Sequence, residues 1–342
     1  MIMRKALKIP PLPLLENVQR LSRDEVMAML ERMLTIRLTE QRIAQRVEER
    51  KIKTPCHLYI GQEASAVGVC SALETTDYVF STHRSHGHFL AKGGRVEELF
   101  GEVYCRETGC SGGRAGSMHL CDPRIGLLGS SSIVAGTLGI GIGPALRSKI
   151  LNEQNVSIIF HGDCVPEEGI WHESLNFAAV KRLPVIYVCE NNLYAASAPL
   201  ANRRLKDNIY EVAAAHGLHT EMVDGNDVFA VRAAATEAVR RARGGEGPQY
   251  IEVRTYRWLG HVGWRDDIDV GLRDIDELNW WKERCPIRNL KRRLLEEGTC
   301  TEEEIDKLYE AVQKHVDEAD ANAEAAPQPE AGTLLNHIYH ST

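Results

Sequence analysis

Two short stretches of the chain carry residue types that could hold a divalent cation beside an anionic group. His161-Gly162-Asp163 follows directly on the apolar run Val156 to Phe160, and Asn192 stands just after a second run, Leu183 to Cys189. Two such runs separated by a helical stretch read as neighbouring buried parallel strands, so both side chains fall at carboxyl ends, where open α/β sheets bind ligands. An Asp carboxylate, an Asn carbonyl and a nearby backbone carbonyl are hard oxygen donors of the kind Mg²⁺ takes while it also holds a diphosphate. Gly162 lets the backbone turn closely beside that group. Taken singly, Asp163 reads as a cap for the helix starting near Gly169, and Glu190-Asn191-Asn192 as a turn. Together, at this spacing, they favour a metal site.

The elements that must position these residues form a βαβ unit. Gly169 to Lys181 reads as the helix between the two strands, and a parallel sheet follows. Thr220 to Val223 and Gln249 to Tyr256 read as further strands, with Asp227 to Arg243 between them as a helix. Upstream, Ser22 caps a long amphipathic helix whose Val26, Met29, Leu30, Met33 and Leu34 recur at helical spacing, ending near Arg50. The Gly-, Ser- and His-rich stretch 55–143 reads as loop-heavy and site-bearing. Within it, Gly139, Gly141 and Gly143 read as close helix packing. Residues 276–320 read as a pair of charged helices with a capping box at Thr301. The expected architecture is α/β, a mostly parallel central sheet with helices on both faces. Its expected organisation is an N-terminal arm over 1–22, rich in proline, one domain over 23–320, and a linker and tail over 321–342.

Composition narrows the classes. With 342 residues, 43% of them hydrophobic, the chain can bury a large core. A formal charge of -7 argues against a general nucleic-acid binder, which needs clustered Lys and Arg. The cluster Lys291-Arg292-Arg293 reads as a solvated helix face. Nine cysteines without a C-x-x-C pair suggest neither a zinc ribbon nor a disulfide framework, so a reducing compartment is expected. No stretch approaches the ~20 apolar residues of a membrane span, and a cytoplasmic location is the expectation. No G-x-G-x-x-G follows a strand, which sets a plain dinucleotide fold aside.

Gly162-Asp163 through Gly169, His172 through Ala179, Leu183 through Asn192 and Tyr194 together resemble the thiamine diphosphate motif of the alpha subunits of 2-oxo acid and acetoin dehydrogenases. The resemblance runs from about Leu30 to Tyr339 and includes Gly61-Gln62-Glu63-Ala64, Gly116 to His119, Val223 to Asp227 and Thr255-Tyr256-Arg257. It implies the thiamine diphosphate-binding fold and cleavage of the bond next to a ketone, with the acyl or aldehyde unit passed to an acceptor, a lipoyl group being the one expected. It further implies that Asp163, Asn192 and the backbone oxygen of Tyr194 hold Mg²⁺, and that Gly162, Cys164 and Val165 line the cofactor. Arg84 matches the diphosphate-binding arginine, a role suited to its forked donors, and His83 stands beside it. Ser131-Ser132 and Val134 match the segment that reads the aminopyrimidine ring and supports the bent cofactor. Among histidines, His57 matches the residue that meets the substrate carboxylate, His86 that of the arginine loop, and His261 that beside the diphosphate and reaction centre. Imidazoles suit such proton work because their pKa lies near neutrality.

The resemblance also implies a partner. The activating glutamate comes from a beta subunit in an alpha2-beta2 heterotetramer, a lipoyl acyltransferase being a further expected partner; Glu63 reads as structural. Departures are visible: Cys164-Val165 replaces Gly-Ala, His83 stands where pyruvate-type members often have tyrosine, and Val262 stands where mitochondrial members carry a phosphorylated serine. Phosphorylation there is not expected. Two further readings stay open, a thiamine diphosphate-dependent transferase of the transketolase or ligase kind and a catalytically degenerate regulatory alpha subunit.

Overall fold

The computed structural model describes residues 21–333, 335 and 336. The arm expected over 1–22 and the apolar end expected over 334–339 lie largely outside these residues.

Ser22 opens α1 (Arg23–Glu48) with a reciprocal box: its hydroxyl accepts from the Glu25 N–H, and the Glu25 carboxylate accepts from the Ser22 N–H. Val26, Met29, Leu30 and Met33 are buried along one stripe. Next come α2 (Glu63–Cys70), β1 (Tyr78–Ser81), α3 (His86–Ala91), α4 (Val96–Val103), β2 (Leu127–Ser130) and α5 (Leu138–Leu151). The stretch expected to be loop-heavy thus holds two strands of the sheet, each four residues long and too short to show a period. After it run β3 (Ser157–Gly162), α6 (Gly169–Lys181), β4 (Val185–Asn191), α7 (Leu200–Arg203), α8 (Ile209–Ala215), β5 (His219–Asp224), α9 (Val228–Arg243) and β6 (Gln249–Arg254). The tail forms α10 (Ile275–Glu283), α11 (Pro286–Glu296) and α12 (Glu302–Ala325).

The tail therefore holds three helices where two are expected. Pro286 at the first position of α11 lacks an N–H to donate, so it breaks the chain after α10 and begins a new helix. The linker expected from Ala321 begins only after Ala325, because the alanines favour helix until Pro327.

One six-stranded sheet has the order β2-β1-β3-β4-β6-β5, with every pairing parallel. Side chains alternate across it. Ile158, Phe160, Ile186, Val188, Ile251 and Val253 join the core beneath α1, α2, α9, α11 and α12. Ile159, Val185, Tyr187, Cys189 and Tyr250 join a second core with residues of α5, α6, α8 and α10. Period-two burial on both faces is the signature of a sheet covered by helices on each side. Of the three helix glycines, Gly141 carries the close packing, since a Cβ there would lie 2.6 Å from Ile159; at Gly143 it would meet nothing.

The chain leaves β1 toward β2 on one side and leaves β3 toward β4 on the other. The gap between β1 and β3 is consequently a topological switch point, with the open crevice at the carboxyl ends of both strands.

Candidate functional site

Arg84 lies just past β1, Asp163 just past β3 and Asn192 just past β4, so three neighbouring strand ends deliver an arginine, a carboxylate and an amide to one edge. Asp163 is buried, and burial raises its carboxyl pKa against the opposing pull of Arg203. It caps no helix: the residue before α6 is Glu168, without a side-chain cap, and the Asp163 carboxylate instead accepts from Arg203. Asn192 donates to Gln62 Oε1 at 2.9 Å and accepts from the Tyr194 N–H at 3.3 Å, leaving a second lone pair on its oxygen. Leu193 between them has φ 72°, a left-handed conformation costly for a branched side chain, and it turns the chain sharply between Asn192 and Tyr194. The bridge that follows uses the Leu193 carbonyl and the Ala195 N–H, so the Tyr194 carbonyl stands outside it.

Gly162 has no positive φ, so tight turning is not its role. A Cβ there would meet no atom within 4 Å, which leaves open space beside the end of β3. Cys164 is half-buried with its thiol pushed up to about 11 by desolvation and by Asp163, which keeps it protonated and unreactive. Val165 is buried.

Arg84 is buried and donates to the carbonyls of Leu58, at 2.6 Å, and His261, at 3.2 Å. No carboxylate pairs with it among the described residues. Burial, then the Arg257 charge, pull its pKa down to about 9. His57, His83 and His261 surround it, their ring centroids 4.7, 4.9 and 5.1 Å apart. Desolvation first, then the Arg84 charge, hold their pKa values down at about 3, 2 and 4. All three are neutral near pH 7, and His57 Nδ1 is buried with no partner. Three imidazoles with ring nitrogens within 4.8 Å could hold a metal. Arg84 and Arg257 beside them make the field positive, which disfavours a cation and favours an anion.

These residues fit a diphosphate and its metal. A buried guanidinium without a counter-ion, an orphaned imidazole nitrogen and open space over Gly162 are what an anionic group would satisfy. His86 is different. It is fully buried in α3, with Nδ1 3.0 Å from Glu40 Oε2 and Nε2 2.8 Å from Ser117 Oγ, so both nitrogens are engaged inside the protein. Ser132 and Val134 follow β2: the Ser132 hydroxyl lies 3.1 Å from His119 Nε2, and Val134 is exposed.

Further residues support the site, and among them Glu40 and Glu102 give no signal in the sequence. Glu40 of α1 accepts from the Tyr59 N–H at 2.8 Å as well as meeting His86, and so ties the His57 segment to α3. Glu190 of β4 is buried with Ser65, Tyr59 and His88; burial pushes its carboxyl up, and these partners outweigh that and hold it low. Glu102 receives the N–H groups of Ser111, Gly113, Ala115 and Gly116 at 2.6–3.1 Å and shapes the Gly-rich loop. Arg257 donates to Leu259, Asp267 and Ala196 and joins the loop after β4 to the one bearing His261. Glu63 pairs with Arg37 through two bonds of 2.6 and 2.9 Å and accepts from the Gly61 N–H, a structural engagement of both oxygens.

A family model described as dehydrogenase E1 component matches residues 31–332. The alpha subunit of the acetoin:2,6-dichlorophenolindophenol oxidoreductase of Bacillus subtilis (strain 168) is 36% identical over 321 residues, covering 94% of this chain and 95% of the relative. The pyruvate dehydrogenase E1 component subunit alpha of Rhizobium meliloti (strain 1021) is 35% identical over 323 residues, covering 94% and 92%. That of Zymomonas mobilis is 37% identical over 332 residues, covering 96% and 92%.

Proposed function

The chain belongs to the dehydrogenase E1 component family, and from that premise we propose that it is the alpha subunit of a thiamine diphosphate-dependent 2-oxo acid or acetoin dehydrogenase. The observation that carries the reading is the uncompensated Arg84 guanidinium, set with three neutral imidazoles at the switch point of the sheet.

In this reading Asp163, the Asn192 side-chain oxygen and the Tyr194 carbonyl hold Mg²⁺, three oxygen donors of the hardness that ion selects. Arg84 and His261 meet the diphosphate, with His83 beside them and Gly162, Cys164 and Val165 lining the strand end. Ser132 and Val134 form the wall on the β2 side. Bound there, thiamine diphosphate supplies the nucleophilic carbon and the electron sink for cleavage next to the carbonyl. This chain's own part is to orient and to move protons. His57 and His261 are kept neutral by burial and by the Arg84 charge, and a negative charge arriving at the site raises their basicity so that they can accept a proton. His86, held between Glu40 and Ser117, acts by fixing the arginine loop.

As the family resemblance implies, a beta chain supplies the activating glutamate; Glu63 is not free for that role, its oxygens being taken by Arg37 and Gly61. Ile140, Ile170, Phe177 and Val180 leave apolar side chains on the outer sides of α5 and α6, as a subunit contact in an alpha2-beta2 particle requires. A lipoyl acyltransferase as the next partner, a cytoplasmic location, and a division into an arm over 1–22, a domain over 23–320 and a tail complete the proposal. No helix of the described residues is long and apolar enough to cross a membrane.

The test is activity. This chain co-expressed with its beta chain should reduce an artificial electron acceptor with acetoin or with one 2-oxo acid, and each chain alone should not. Condensation of two carbonyl compounds without acceptor reduction would instead favour the transferase reading.

A further inference from the structure

We propose that Arg203 is an internal cation that occupies the Asp163 carboxylate until a divalent metal displaces it, so that metal binding unlatches the loop after β4 from the β3–α6 connection. The inference rests on Asp163 being a metal ligand, as the proposed function has it.

The Asp163 carboxylate is buried beside the sheet end, where a bare negative charge would be costly. Arg203 in α7 meets that need through Nη2 on Asp163 Oδ2. Its other nitrogens are engaged as well: Nη1 donates to Glu167 at 2.5 Å, and Nε to the Ala198 carbonyl at 3.2 Å. One planar fork therefore joins three points, two on the β3–α6 connection and one on the loop that follows β4. Arg203 itself is mostly buried, with a side-chain exposure of 11%.

Arg203 holds only Oδ2, and a dication taken up on the other oxygen, Oδ1, would draw on the same negative charge that holds the guanidinium. Mg²⁺ binds oxygen at about 2.0–2.1 Å in a near-ideal octahedron and carries two charges. A guanidinium held on the same carboxylate would lie within a few ångströms of that dication and be repelled. Glu167 gives the displaced cation somewhere to stay. Its side chain is more exposed, at 35%, and it is no part of the expected metal set. Arg203 can swing outward on Glu167 without being stranded, and the chain from Ala195 to Arg204 loses its tie to Asp163.

Arg203 is thus a positioning residue whose effect is a competition, and substitution separates this from direct help in cofactor binding. The complex of this chain with its beta chain would be titrated calorimetrically with Mg²⁺ at saturating thiamine diphosphate, for wild type, Arg203→Met and Arg203→Lys. Arg203→Met should lower the apparent Mg²⁺ Kd at least ~10-fold, which corresponds to ~1.4 kcal/mol, with Arg203→Lys between it and wild type. Unchanged or weaker Mg²⁺ binding in Arg203→Met overturns the proposal while leaving the cofactor site standing. No binding in any variant overturns the cofactor site and the competition together. A second readout needs no cofactor: trypsin should cut after Arg203 or Arg204 about 10-fold faster in metal-free Asp163→Asn than in wild type, since cleavage follows opening of the segment. Equal rates would show that Asp163 does not latch the loop.

Discussion

Replacing Arg84 with methionine should separate cofactor binding from stability. The side chain is buried, with two carbonyl acceptors and no carboxylate partner among the described residues. Its pKa is drawn down to about 9 by burial and by Arg257, which corresponds to on the order of 5 kcal/mol held against the charged form. At neutral pH the guanidinium nevertheless remains charged, and the unmet charge is what a diphosphate would neutralise. Methionine keeps most of the stem's packing and removes the charge, at the cost of two hydrogen bonds to carbonyls worth about 1.5–3 kcal/mol each. These opposing terms nearly cancel, so the cofactor-free complex should melt within a few degrees of wild type. The loss of charge-assisted bonds to phosphate should weaken thiamine diphosphate binding ~100-fold, or ~3 kcal/mol. Calorimetric titration beside a thermal melt reads both quantities. A large drop in melting temperature with cofactor affinity unchanged would make Arg84 a structural residue and not a diphosphate ligand.

Other consequences concern the histidines and the Glu63 pair. The depressed pKa values of His57, His83 and His261 mean that the unfolded chain takes up protons before the folded one does. Their contribution to stability is complete above the ordinary imidazole range and is lost as pH falls from there through about 4 toward about 2. Cofactor-free melting temperature should accordingly fall between pH 7 and 5, and less steeply in His57→Asn; equal slopes would contradict the assignment. Glu63→Gln leaves Arg37, stacked 4.1 Å over Trp258, without its counter-ion, and should cost about 3–5 kcal/mol in denaturant unfolding. An intact fold with lost activity would instead make Glu63 a catalytic group.

The part of the fold easiest to read in the sequence is the βαβ unit of β3, α6 and β4. Its strands are unbroken apolar runs buried on both faces, and α6 spans Gly169–Lys181 as its periodicity indicates. Local chemistry also shows at Ser22 and Thr301, whose capping boxes lie within three residues. β1 and β2 are hidden because four residues carry no usable period, although β1 delivers Arg84 to the switch point. The supports of the site are hidden for another reason. Glu40 and Glu102 act on segments distant in sequence or on a run of backbone N–H groups, and a lone glutamate in an apolar stretch announces neither. Arg203 is read in the sequence as nothing in particular, since its partner Asp163 lies 40 positions away.

Whether this strand edge holds the cofactor is decided by calorimetric titration of thiamine diphosphate with Mg²⁺ into this chain assembled with its beta chain, beside the same complex carrying Asp163→Ala. Saturable, Mg²⁺-dependent binding that is lost in Asp163→Ala is the result predicted. Equal binding in both, or none in the wild-type complex, would contradict the assignment of this strand edge as the cofactor site.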